Sequence, residues 1–150
     1  MTKEKFDAVI DFAIDEEKDA AKFYLELQTK VKFHAHKEML KELEEMEKAH
    51  IVILEGVRAK GFQNASVKKI NTLNISEYLV DIKSHNNMSY QEILIIVMKK
   101  EEQAYKLYTN MAENFPGTEL ETLFLKLASE EAGHKLKFET LYDEHILKEN

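Results

Sequence analysis

Apolar residues recur at steps of three and four over four long stretches of the chain, the spacing that turns one face of an α-helix toward a core. The first stripe runs Phe6, Ile10, Ala13, Ala20, Tyr24 and Leu27, and the second Met39, Leu43, Leu54 and Val57. The third runs Leu94, Val97, Ala104, Tyr108 and Met111, and the fourth Leu120, Phe124, Leu127, Phe138 and Leu141. Stop and start signals frame them. The second helix should end near Gly56 to Gly61. Ser89 followed by Glu92 reads as a capping box that opens the third, Pro116-Gly117 stops it, and Thr118 with Glu121 opens the fourth in the same way. Four Gly and one Pro in 150 residues are too few for a turn-rich β fold. The abundant Glu, Lys, Leu, Ala and Met are what long helices use. The expected class is all-α.

The connections set the topology. A short stretch around Lys30 to Ala35 joins helices 1 and 2, and Asn114 to Gly117 joins helices 3 and 4, so each pair should lie antiparallel. Between Gly61 and Ser89 runs a far longer connection, with room for one short helix around Ile75 to Ile82. A helix of about 25 residues is roughly 38 Å long, and this connection can return along all of it. Two antiparallel helical hairpins joined by one long crossover make the ferritin-like four-helix bundle. A single domain over 1–150 is expected.

Each stripe is interrupted by polar residues that keep its register. Glu17 stands in the first, Glu47 and His50 in the second, Glu101 in the third, Glu131 and His134 in the fourth. An offset of 84 relates the two hairpins, carrying Glu17 to Glu101, Tyr24 to Tyr108, Glu47 to Glu131 and His50 to His134. Ala20/Ala104, Leu43/Leu127, Lys22/Lys106 and Glu55/Glu139 match as well, while few other positions do. An internal repeat of this kind builds a pseudo-twofold site with one half from each hairpin.

Four carboxylates aimed into one core cannot all remain ionised and unpaired, because each bare buried charge costs several kcal/mol or more. No Lys or Arg stands in any of the four stripes to neutralise them. Two divalent ions would bring four positive charges against four carboxylates. The Glu-x-x-His spacing of Glu47/His50 and Glu131/His134 sets carboxylate and imidazole side by side on one helix face. Glu from two helices and Glu-x-x-His from the other two is the known donor pattern of ferritin-like di-iron and di-manganese sites. Carboxylate and imidazole donors favour iron, then manganese, and tolerate zinc.

At these residues the chain resembles the rubrerythrin-like branch of the ferritin superfamily. The resemblance rests on Glu17-x-x-Ala20-x-x-Phe23-Tyr24, Glu47-x-x-His50, Glu101-x-x-Ala104-x-x-x-Tyr108 and Glu131-x-x-His134, and it spans essentially the whole chain. It implies two iron ions that react with peroxide or dioxygen. Glu47 and Glu131 would bridge them, Glu17 and Glu101 would be terminal, and His50 and His134 would each hold one ion. Full-length rubrerythrins carry a Cys-ligated electron-donating domain. This chain has no Cys, so the resemblance implies an external electron donor. They also carry an additional Glu one turn past the helix 3 ligand, where this chain has Ala104. The six donors left resemble the ferroxidase centres of bacterioferritin. Reduction of peroxide or dioxygen is the leading expectation. The alternatives are iron oxidation and handling within a larger assembly, or metal binding without turnover.

The remaining features narrow the class. A net charge of −7 opposes binding to nucleic acid or an anionic membrane. Ile93 to Met98, the longest apolar run, is far short of the roughly 20 residues of a membrane span. The start, with Asp7, Asp11 and Asp15 and no long apolar run, is not expected to act as a signal peptide. A cytoplasmic protein, homodimeric by resemblance, is expected. Tyr24 and Tyr108 lie two turns beyond Glu17 and Glu101, where each hydroxyl could steady a donor carboxylate. Glu16, Glu102 and Glu130 adjoin donors in sequence but point about 100° away, so solvated or rim positions are expected for them. His34, His36 and His85 read as surface residues, and His145 as structural.

Overall fold

The computed structural model describes residues 1–61, 73–80 and 87–149. Four helices carry the fold: α1 (Lys3–Gln28), α2 (His34–Lys60), α3 (Tyr90–Glu113) and α4 (Glu119–Glu149). A 3-10 turn at Ile75–Tyr78 lies in the long connection. The described residues contain no strand. The short helix expected around Ile75 to Ile82 is this single turn as far as Tyr78, and 81 and 82 lie outside the described residues. No helix among those described is long and apolar enough to cross a membrane.

Local chemistry places the helix ends. Thr2 accepts the amide of Lys5 at the start of α1. Ser89 and Glu92 make both hydrogen bonds of the capping box at the start of α3, each 3.1 Å. At the start of α4 the Thr118 hydroxyl accepts the Glu121 amide at 3.3 Å. α2 ends at Gly61, whose φ of 77° is a left-handed conformation that a side chain would resist.

Cross-helix contacts fix the directions. Arg58 of α2 reaches Asp7 and Asp11 near the start of α1, while Gln28 at the other end of α1 donates to Glu44 of α2 at 2.9 Å. α1 and α2 are therefore antiparallel. Lys135 pairs with Glu102, and Tyr90 packs edge-on against His145, so α3 and α4 are antiparallel too. Phe6 meets Phe115 at a ring separation of 5.7 Å, and Glu16 meets Lys100, which sets α1 antiparallel to α3. It follows that α2 and α3 run parallel, the relation that one long connection between two hairpins requires. Part of it is anchored on α3, where the Asn110 side chain donates to the Tyr78 hydroxyl.

The apolar interior divides in two. One cluster gathers Phe6, Ile10, Leu54, Met111, Phe115, Phe124 and Leu127 with Leu73 and Tyr78 of the connection. The other gathers Tyr24, Leu27, Leu40, Leu43, Ile93, Leu94, Phe138 and Leu141. The polar interruptions of the four stripes fall between them. Phe124 is fully buried, 6.3 Å from both Tyr108 and Phe115. Phe124→Ala is expected to lower unfolding free energy by about 3–5 kcal/mol through lost burial and the cavity left behind. Ser89→Ala should cost only about 1 kcal/mol, one cap's contribution. Chemical denaturation of the two variants side by side checks both magnitudes and their order.

Candidate metal centre

All six residues singled out from the stripes meet at mid-bundle. Glu17, Glu47, His50, Glu101, Glu131 and His134 are each no more than 3% exposed. One donor atom from each of Glu17, Glu47, His50 and Glu131 lies within 4.8 Å of the others, and the same holds for Glu47, Glu101, Glu131 and His134. Glu47 and Glu131 belong to both groups, so the two groups overlap along one shared edge.

The pseudo-twofold relation seen in sequence is obeyed in space. His50 Nδ1 lies 2.7 Å from Glu131 Oε1, and His134 Nδ1 lies 2.6 Å from Glu47 Oε1. His50 Nδ1 is 3.6 Å from Glu17 and 3.7 Å from Glu47, and the related distances from His134 Nδ1 to Glu101 and Glu131 are both 3.8 Å. The two imidazoles are nearly parallel, 14° apart with centroids separated by 6.1 Å. Each histidine thus makes its shortest carboxylate contact with the opposite hairpin, which ties the halves together through the site.

The fit to metal ions can be judged from what these atoms do not do. Among the described residues, Glu17 Oε2, both Glu47 oxygens, Glu101 Oε2, Glu131 Oε1 and Nδ1 of both histidines are buried without an aligned hydrogen bond. The short imidazole–carboxylate separations are attractive, but the atoms are not oriented as donor and acceptor. An unsatisfied buried polar atom costs about 1–3 kcal/mol, and more if charged. Seven in one place are the mark of donors that converge on a ligand rather than on one another. Carboxylate and imidazole are also the donor types that iron and manganese take. The residues fit a metal site.

Burial and mutual charge set the proton affinities of the cluster. Burial pushes Glu101 well above the ordinary carboxylate value of 4.5, and the charge of Glu131 adds to the shift. Glu131 is also raised, by burial first and then by Glu47, against the lowering effect of its contacts with Glu101 and His50. For Glu47 burial acts upward, but His134 and His50 beside it outweigh burial and hold the group low. His50 is raised to about 11, because Glu131 and Glu47 outweigh a burial effect that acts downward.

The tyrosines do not behave alike. The Tyr108 hydroxyl donates to Glu17 Oε1 at 2.6 Å, crossing to the other hairpin rather than to Glu101 on its own helix. Burial and the charges of Glu131, Glu47 and Glu101 raise Tyr108 well above 10.0, so it stays a donor. Tyr24 is fully buried against Phe138, 4.8 Å away, and its hydroxyl has no hydrogen-bond partner among the described residues. The matching carboxylate, Glu101, is turned to Glu131 instead. The expectation of a symmetric tyrosine pair is corrected on this point.

Residues next to the donors carry more than the sequence reading gave them. Glu130, expected at a rim, is 28% exposed and places Oε2 2.5 Å from Nε2 of His50. Glu16 pairs with Lys100 at 3.0 Å, closing the α1–α3 side of the site. These two residues are themselves related by the offset of 84. Applying that offset to unlike residues, and not only to identical ones, would have drawn attention to both positions. Glu102 does lie outward, on Lys135 and Lys106. His34 is exposed and His36 lies 3.3 Å from Glu144 at the surface, while His145 packs on Tyr90. His85 lies outside the described residues.

Comparison with known proteins agrees with this geometry. A family model described as Rubrerythrin matches residues 8–142. A solved structure, a hypothetical protein from Pyrococcus furiosus, superposes with a TM-score of 0.66 at 26% identity, covering 91% of this chain and 87% of that one. No curated protein matches.

The proton affinities give a pH dependence with a definite sign. Glu101, Glu131 and His50 have folded-state values above their unfolded ones, so their stabilising contribution is full below the unfolded values of 4.5 and 6.5 and fades as pH rises through the folded values. Glu47 has the opposite sign, contributing above its unfolded value and losing that contribution only as pH falls through its lowered one. The metal-free protein should therefore lose melting temperature as pH rises from about 5 toward about 9, and the gain on metal addition should widen over the same range. The gain should shrink in the double variant Glu47→Ala/Glu131→Ala. Differential scanning calorimetry across this range, with and without metal, is the check. A metal-free melting temperature that climbs with pH would contradict the assignment.

Proposed function

This chain belongs to the rubrerythrin family, and we propose that it is a di-iron oxidoreductase that reduces peroxide or dioxygen with electrons from an external carrier. The observation that carries the reading is the pair of overlapping donor groups sharing Glu47 and Glu131. Glu17 and His50 complete one group, Glu101 and His134 the other. When bound, a pair of ferrous ions supplies the two electrons that convert hydrogen peroxide and two protons to two waters.

The protein's part is positioning, shielding and proton control. Tyr108 fixes the rotation of the Glu17 carboxylate through a 2.6 Å hydrogen bond, and its raised pKa keeps that donor protonated over the working range. The apolar clusters at either side exclude bulk water, which strengthens every charge interaction between them. Beside Glu17 and Tyr108 lies a cavity of about 10 Å³, lined also by Phe12, Ala13, Ala104 and Lys100. That is room for about one water molecule, the scale of a small oxidant and not of an organic substrate. Ala104 contributes no further carboxylate there, which leaves six donors in all. A six-donor site also suits oxidation of ferrous iron for storage. That second reading requires a hollow assembly of many chains.

Anaerobic loading should give two iron ions per chain, and His50→Ala and His134→Ala should each lower that content. Stopped-flow mixing of the diferrous protein is expected to show oxidation by peroxide faster than by dioxygen. Oxidation by dioxygen alone, together with a shell-sized particle in solution, would favour the storage reading. Bound iron that neither oxidant touches would overturn the redox function altogether.

A further inference from the structure

The two halves of the site are not equivalent, and the difference lies one shell outside the six donors. Both histidines turn Nδ1 toward the carboxylates, so Nε2 of each ring points away from the cluster. Behind His50, Glu130 Oε2 accepts at 2.5 Å from Nε2. Behind His134, Nε2 is buried with no hydrogen-bond partner among the described residues. The residue related to Glu130 by the offset of 84 is Met46, half-buried and packed against the apolar cluster. Its thioether is a weak acceptor at best.

We infer that Glu130 is a positioning residue that makes the Glu17/His50 half of the centre the tighter one, so that metal ions load in a fixed order, this half first and the Glu101/His134 half second. Holding the proton on Nε2 leaves the Nδ1 lone pair free and fixes the ring plane toward the cluster. A carboxylate acceptor also makes the imidazole a stronger donor. His134 has neither constraint and must lose ring freedom when it binds an ion. Loss of such a partner typically costs 10–100-fold in metal affinity, which sets the expected separation of the two steps at about that factor. The inference rests on the reading of the cluster as a two-ion site.

Cobalt(II) titration of the full chain by calorimetry tests it. The unaltered protein should bind two ions in two resolved steps, and crystals given one equivalent should show anomalous scattering at the Glu17/His50 half. Glu130→Ala should weaken the first step by about 10–100-fold and merge it with the second. Glu130→Gln, which keeps an acceptor oxygen, should preserve most of the separation. Met46→Glu should tighten the second step and merge the two from the other direction, which supplies a test that does not depend on Glu130→Ala folding. Circular dichroism of each metal-free variant checks that the helices survive. Two ions bound as one equivalent class in the unaltered protein overturns the inference and leaves the two-ion reading standing. Fewer than two ions bound overturns both.

Discussion

Four carboxylates and two imidazoles share a dry space between two apolar clusters, and most of the fold can be understood as the means of holding them there. Left alone, the carboxylates repel and lack solvent. The metal-free protein relieves this by keeping Glu101 and Glu131 high in proton affinity and by protonating His50, whose value rises to about 11. None of this satisfies the seven donor atoms that lack aligned partners. A core of this kind persists only because packing elsewhere is strong enough to tolerate it. The aromatic cluster of Phe6, Phe115 and Phe124 on one side and that of Tyr24 and Phe138 on the other supply that packing. The histidines add ties across the hairpins, each reaching the carboxylate of the opposite half.

Much of this was legible in the sequence, for a physical reason. A Glu set in the register of an apolar stripe has nowhere to point but inward, so Glu17, Glu47, Glu101 and Glu131 declared their burial before any coordinates. The fourfold stripe pattern with two short joints and one long one likewise fixed the order and direction of the helices. What stayed hidden depended on distances between helices. Glu130 sits beside a donor and looked solvated by helical geometry alone, yet its side chain extends from α4 to the back of an α2 histidine. Tyr24 and Tyr108 looked interchangeable. They differ because Glu101 turns to Glu131 while Glu17 is left for a hydroxyl. Rotamer choices of this sort follow from the whole cluster and not from spacing.

The separation between recognising a site and knowing its chemistry follows the same line. The donor set and its burial are properties of the four stripes, and membership of the rubrerythrin family agrees with them. What reaction, if any, such a donor set supports depends on access, on the groups that flank the donors and on what the centre meets. The small cavity beside Glu17 and Tyr108 bears on the first of these, and Glu130 and the Glu16–Lys100 pair on the second.

The Glu16–Lys100 contact has a consequence of its own. Residues 16 and 100 occupy the same place in the two hairpins, and they meet each other across the relation that exchanges the halves. Were the bundle assembled from two identical hairpins, one codon would specify both members, and glutamate would face glutamate or lysine would face lysine. Opposite charges at a self-facing position require the two copies to be encoded separately. Joining both hairpins in one polypeptide thus lets a single base change alter one side of the centre and not the other, a freedom that a symmetric dimer of half-length chains could never have.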